Sequence, residues 1–94
     1  MQPTIGRIVH YVLSESDADL ITRRRAARAA REAVGVETLG NHVEAGQVFP
    51  ATIVRVWPDT VSLQVALDGP DGAWVTSRTE GTGPGTWAWP PRSQ

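Results

Sequence analysis

"VSLQVALDGPDGAWVTSR", residues 61–78, is the stretch on which the fold turns. Val61, Leu63, Val65 and Leu67 alternate with Ser62, Gln64, Ala66 and Asp68, the period of two expected of a strand with one buried face. "DGPDG", Asp68 to Gly72, concentrates turn-forming residues, and Ala73 to Arg78 returns as the partner strand of a hairpin. With Ala73 and Val75 turned inward, Trp74, Thr76 and Arg78 are expected on the opposite face.

Upstream, Gln47 to Trp57 reads as another strand. Val48, Val54 and Val56 are expected on one side and Phe49, Ile53 and Trp57 on the other. Pro50 lacks an amide donor, which suits an edge or a bulge, and "WPDT" makes the next turn. At the start of the chain "IGRIVHYVL", Ile5 to Leu13, is rich in β-branched and aromatic residues. It is apolar on both faces, so both are expected to be covered. Gly40-Asn41 and Ala45-Gly46 mark turns in between.

"SESDADLITRRRAARAAREAVG" separates these strands. Ser14 and Asp17 form an [ST]-x-x-[DE] capping signature. Acids crowd the first turn and arginines the later ones, as the helix dipole favours. Arg28 and Glu32 form an i,i+4 pair, and Gly35 is the expected stop. The apolar stripe of Leu20, Ala27, Ala30 and Val34 is narrow, so the helix is expected to lean on the sheet or on another subunit.

The expected fold is α+β, mainly β: a small bent sheet or SH3-like, partly open barrel of about four to five antiparallel strands, with one helix inserted after the first strand. One domain spans 1–94, with a strand over 5–13, a helix over 15–34, the sheet core over 47–79 and a C-terminal tryptophan lid over 84–91. The lid follows from "TWAWP" in an otherwise Gly- and Pro-rich tail. Paired as a last short strand, it places Trp87 and Trp89 on one face, where they close the open end of the barrel.

Composition narrows the chemistry. The 94 residues carry a net charge of −1 and no cysteine, which excludes disulfides, thiolate metal sites and a cysteine nucleophile. All nine basic residues are arginine. Near-neutrality makes nucleic acid an unexpected partner. No apolar run approaches the ~20 residues of a membrane helix, so no membrane partner is expected. The two histidines, His10 and His42, lie far apart in sequence with no ligand spacing around them. Asp68 and Asp71 lack the spacing of a calcium loop, and "GTGPG" lacks the context of a phosphate loop. No metal, cofactor or catalytic set is expected, and the chain reads as a non-enzyme.

Two groups remain as candidate ligand or partner contacts. Arg24, Arg28 and Arg31 share one helical face, where they suit phosphates or a solvated surface. Trp74 and Arg78 suit stacking and anion contacts at an interface.

"IGRIVHYVL", "FPATIVRVW", "LQVALDG" and "WVTSRTEGTGPGTWAWP" together resemble a family of small uncharacterised proteins of tailed bacteriophages and prophages, especially of actinobacteria. That family ends in a Pro-Gly-Thr-Trp-x-Trp-Pro signature, here Pro84 to Pro90 with Ala88 at x. The resemblance implies a phage protein made in the host cytoplasm and brings no established activity. It favours a virion-associated accessory or structural protein of capsid, connector or tail, binding other phage proteins or itself as a homo-oligomer. The alternative is an intracellular anti-defence oligomer that sequesters a nucleotide signal.

Overall fold

The computed structural model of the chain describes residues 1–91. Five antiparallel strands form one sheet in the order β4-β3-β2-β1-β5. These are β1 (Ile8–Val12), β2 (Val48–Val56), β3 (Val61–Ala66), β4 (Gly72–Arg78) and β5 (Trp87–Ala88). A single helix, α1 (Glu15–Glu32), follows β1, and a short 3-10 helix spans Val36–Leu39. The sheet does not close: among the described residues, one bridge between Glu80 and Trp87 is the only pairing between the chain beyond β4 and the β5 edge.

Register decides what is inside. Val9 pairs with Ala51, Ala51 with Val65 and Val65 with Ala73, a row of small apolar side chains across four strands. Ile53, Leu63 and Val75 form the next row, and Tyr11 sits opposite Phe49 and Trp87. Ala18 and Ile21 of α1 complete the core with Leu13, Val43 and Leu67.

Two bulges break the period of two. Between Ile53 and Arg55 the β2–β3 register shifts by one residue. A one-residue slip reverses every later side chain, so Trp57 leaves the face of Ile53. It packs on the outer side, its indole N–H 3.3 Å from Ser62 Oγ and the Arg55 guanidinium 4.4 Å above its ring. The second shift lies between Val61 and Leu63 on β3, opposite a Ser77 held in the left-handed region at φ 59°. It pairs Arg78 with Val61 and thereby turns Arg78 to the inner side, away from Trp74 and Thr76, where strict alternation places it.

Other sequence expectations need adjusting. The first strand begins at Ile8, not Ile5, because a turn closed by Arg7 N–H on the Thr4 carbonyl precedes it. Its second face is only partly covered: Ile8 is 52% exposed, while His10 and Val12 are half-buried. The helix ends at Glu32, and the left-handed stop is Ala33 (φ 54°), not Gly35, which caps the 3-10 helix. Its buried face carries Asp17, Ala18, Ile21, Arg25 and Ala29. Leu20 and Val34 of the expected stripe are exposed.

The tail is anchored as a strand. Pro84 and Gly85 occupy the centre of a turn closed by Thr86 N–H on the Gly83 carbonyl, with Gly85 at φ 82°. That is type II geometry, which requires glycine at its third position. The turn then hydrogen-bonds to Val12 through both Gly85 and Thr86, so the Pro-Gly-Thr-Trp stretch aims Trp87 into the core. Trp87 is 3% exposed, and its indole meets that of Trp89 edge-on at 5.5 Å. Trp89 packs against the core from the rim with Arg7 over its ring. The expected lid, residues 84–91, lies wholly within the described chain.

Trp87→Ala is expected to lower the unfolding free energy by about 3–5 kcal/mol, the cost of an emptied tryptophan site. Trp74→Ala, at an exposed position, should change it by less than about 0.5 kcal/mol. Urea denaturation followed by circular dichroism separates the two, and equal losses would contradict the core assignment of Trp87.

Candidate functional site

The helix and the edge strand β4 run side by side in opposite directions, and two arginine–carboxylate clusters hold them there. At one end stand Tyr11, Asp17 and Arg78. The Tyr11 hydroxyl donates to Asp17 Oδ2, which also accepts the Ser14 backbone N–H at 3.0 Å. Arg78 donates through Nε to the Tyr11 oxygen at 2.9 Å and through Nη2 to Asp17 Oδ1 at 3.2 Å. Asp17 reaches this place because it is the N3 residue of a capping box, whose Ser14 Oγ accepts Asp17 N–H at 3.1 Å. The local signal that starts the helix thus fixes its tertiary partner.

These contacts displace the titrations. Burial, together with the hydrogen bond to Asp17, pushes the Tyr11 hydroxyl up to about 12. Burial alone would raise Asp17, but the hydrogen bonds from Tyr11 and Ser14 and the Arg78 charge hold its carboxyl below the usual range. Arg78 is raised: burial opposes its charge, and Tyr11 and Asp17 outweigh that.

At the other end Arg25, buried on the helix, grips Asp71 of the β3–β4 turn with two parallel bonds, Nε–Oδ2 at 2.8 Å and Nη2–Oδ1 at 2.9 Å. Its Nη1 donates to the Asn41 carbonyl at 2.6 Å, and Asn41 in turn binds Asp68 through backbone and side chain. A Cβ on Gly40 would lie 2.5 Å from Arg25 Nη2, so the loop approaches the guanidinium as closely as only glycine permits. The hydrogen bond from Arg25 holds Asp71 below the usual carboxylate range and raises Arg25 itself. Asp68 and Asp71 are thereby engaged in a structural lock.

Along the seam of α1 and β4 lie two concavities that share Arg24, one beside the Asp17–Arg78 cluster and one at the Arg25–Asp71 pair, together forming a groove. One, of about 170 Å³, is lined by Leu20, Arg24, Trp74, Thr76 and Arg78 among others. The second, of about 310 Å³, is lined by Arg24, Arg28 and Arg31 together with Arg25, Asp71 and Gly72. The fold therefore gathers Arg24, Arg28 and Arg31 around one hollow and places Trp74 beside it, 58% exposed. It withdraws Arg78, all three of whose guanidinium nitrogens have acceptors in Tyr11, Asp17 and Thr76. Sequence reasoning missed both pairings, Asp17 with Arg78 and Arg25 with Asp71. Their signal was the spacing of Ala18, Ile21, Arg25 and Ala29, a helical stripe hidden by its charged member.

His10 lies half-buried on the outer face, opposite Pro50 and Ala88. His42 is exposed, 3.4 Å from Glu44. Among the described residues no cluster of three or more His, Cys, Asp or Glu side chains is placed to hold a metal ion, and no helix is long and apolar enough to cross a membrane. Comparisons with protein families, with curated proteins and with solved structures found no match.

The sign of the pH dependence follows from these shifts. Asp17 and Asp71, depressed in the folded state, contribute stability that is complete above the ordinary carboxyl range and is lost as pH falls through and below about 4. Tyr11, raised, contributes stability that is complete below about pH 10 and is lost as pH climbs from there toward its folded value. Urea midpoints should therefore be flat between these limits and fall on both sides. Asp17→Asn should cost about 1.5–3 kcal/mol at neutral pH and make the acid limb shallower, while Tyr11→Phe should flatten the alkaline limb. An unchanged acid limb in Asp17→Asn would show that the carboxylate is not held as described.

Proposed function

We propose that the chain is a non-enzymatic protein-interaction module, a virion-associated accessory or structural subunit of a tailed bacteriophage, working at the capsid, connector or tail. Its partners are other subunits of the particle, further copies of itself among them. The observation that carries this reading is the uncovered outer face of the sheet. Trp74, Gln64, Thr52 and Ile8 are successive cross-strand neighbours on that face, and Val12 pairs with Val48 farther along it, beyond His10 and Pro50. Ile8 and Val48 are 52% and 53% exposed. Exposed apolar side chains spaced among polar ones on one sheet face are the kind of surface that a partner subunit covers.

Two further features support the reading. The groups whose titrations are displaced spend their hydrogen bonds on one another, Tyr11 and Asp17 on Arg78 and Asp71 on Arg25, so they serve to hold α1 against β4. The resemblance of "IGRIVHYVL", "FPATIVRVW" and the Pro84–Pro90 signature to phage proteins favours a place in a particle over one in metabolism.

Mass spectrometry of purified virions is expected to find the protein at many copies per particle. Ile8→Glu and Val48→Glu, both at exposed positions, should leave the melting temperature nearly unchanged and strip the protein from particles, with a smaller species in light-scattering chromatography wherever the wild type self-associates. Absence of the wild-type protein from virions would overturn the proposal.

A further inference from the structure

The groove between α1 and β4 has a chemistry unlike that of the outer sheet face. Four guanidinium groups line its larger hollow, against the single carboxylate of Asp71. Asp71 is already bound bidentately by Arg25. Arg28 is tied only to the exposed Glu32, at 2.7 Å, a surface pair that water and salt weaken. Arg24 and Arg31 have no carboxylate within ion-pair distance among the described residues. The hollow is thus a concentration of positive charge on a chain whose net charge is −1.

Three guanidinium groups at i, i+4 and i+7 span about 10 Å along a helix at ~1.5 Å per residue. Their planar forks match the paired oxygens of phosphate groups. The hollow of about 310 Å³ falls at the lower end of small-ligand sites. At its mouth Arg24 is shared with the neighbouring concavity, which Trp74 lines, and that indole is the most exposed aromatic ring of the described chain. An aromatic face beside a cationic hollow suits a planar base joined to phosphates.

We propose that this groove binds a nucleotide, with its phosphates on Arg24, Arg28 and Arg31 and its base against Trp74. A long nucleic-acid strand is the less favoured ligand, because a slightly acidic chain does not attract an extended polyanion. The groove shares Trp74 with the outer sheet face, but its arginines lie apart from Ile8 and Val48, so Ile8→Glu and Val48→Glu test the interaction surface without touching the phosphate contacts.

Isothermal titration calorimetry of the full chain at physiological salt, with ATP, a cyclic dinucleotide, pyrophosphate and a short oligothymidylate, tests the proposal. At least one nucleotide is expected to bind. Arg24→Ala and Arg31→Ala should each weaken it by about tenfold or more. Trp74→Ala should weaken the nucleotide while leaving any pyrophosphate binding unchanged. Arg23→Ala, exposed on the same helix but outside both concavities, should have no effect. All four positions are exposed, and circular dichroism checks that each variant folds. Three results overturn the proposal: no heat from any nucleotide up to ~1 mM, equal weakening by Arg23→Ala, or binding confined to pyrophosphate or the oligothymidylate.

Discussion

Four elements meet at one buried hydrogen-bonded cluster. Tyr11 brings β1 to it, Asp17 the first turn of α1 and Arg78 the end of β4. The Arg78 carbonyl then accepts the Trp87 indole N–H at 3.1 Å, which adds β5. A buried ion pair is a poor source of net stability, since desolvation cancels much of its attraction, yet removing one partner leaves the other stranded. Its effect here is geometric. With Asp17 committed to Arg78 at one end and Arg25 to Asp71 at the other, the helix has one position and one direction along β4.

The same cluster explains which parts of the architecture were legible in the sequence. The hairpin of residues 61–78 and the capping box are local: each is decided by residues within a few positions, and each is found where the pattern puts it. Trp87 was legible for a different reason. A large apolar ring in a Gly-Pro tail has no stable place except a core, and the Pro84-Gly85 turn supplies the route. What strict alternation missed are the two bulges. Ser77 carries no mark of its left-handed backbone, which in a residue other than glycine costs about 1–2 kcal/mol, and from sequence Arg78 falls on the side of Trp74. Likewise Trp57 falls with Ile53 until the slip at Arg55 reverses it. A single inserted residue is invisible to a period of two, because the pattern on either side of it stays intact.

The buried face of the helix was missed by a different route. Ranking its sides by apolar content selects Leu20, Ala27, Ala30 and Val34, since Asp17 and Arg25 count against the side that is buried. Both are buried because each finds its partner far along the chain, Asp17 with Arg78 at a separation of 61 residues and Arg25 with Asp71 at 46. No local pattern encodes pairs that distant. The candidate site was legible to the same degree: Arg24, Arg28 and Arg31 are neighbours by helical spacing alone, whereas the wall they face is supplied by tertiary structure.

Arginines only a few residues apart on one helix meet opposite fates, and the difference creates the groove. At 100° per residue, Arg25 points to the strand while Arg24, Arg28 and Arg31 line the rim. Had Asp71 been left free, its carboxylate would have answered the rim arginines and made the hollow a self-neutralised surface. Arg25 occupies both of its oxygens, and the Asn41 carbonyl engages the third nitrogen of that guanidinium. The lock that seats the helix therefore also cancels the one acid in the hollow. Positive charge on Arg24 and Arg31 is left without a carboxylate partner among the described residues, so the packing that orders the fold leaves this hollow cationic.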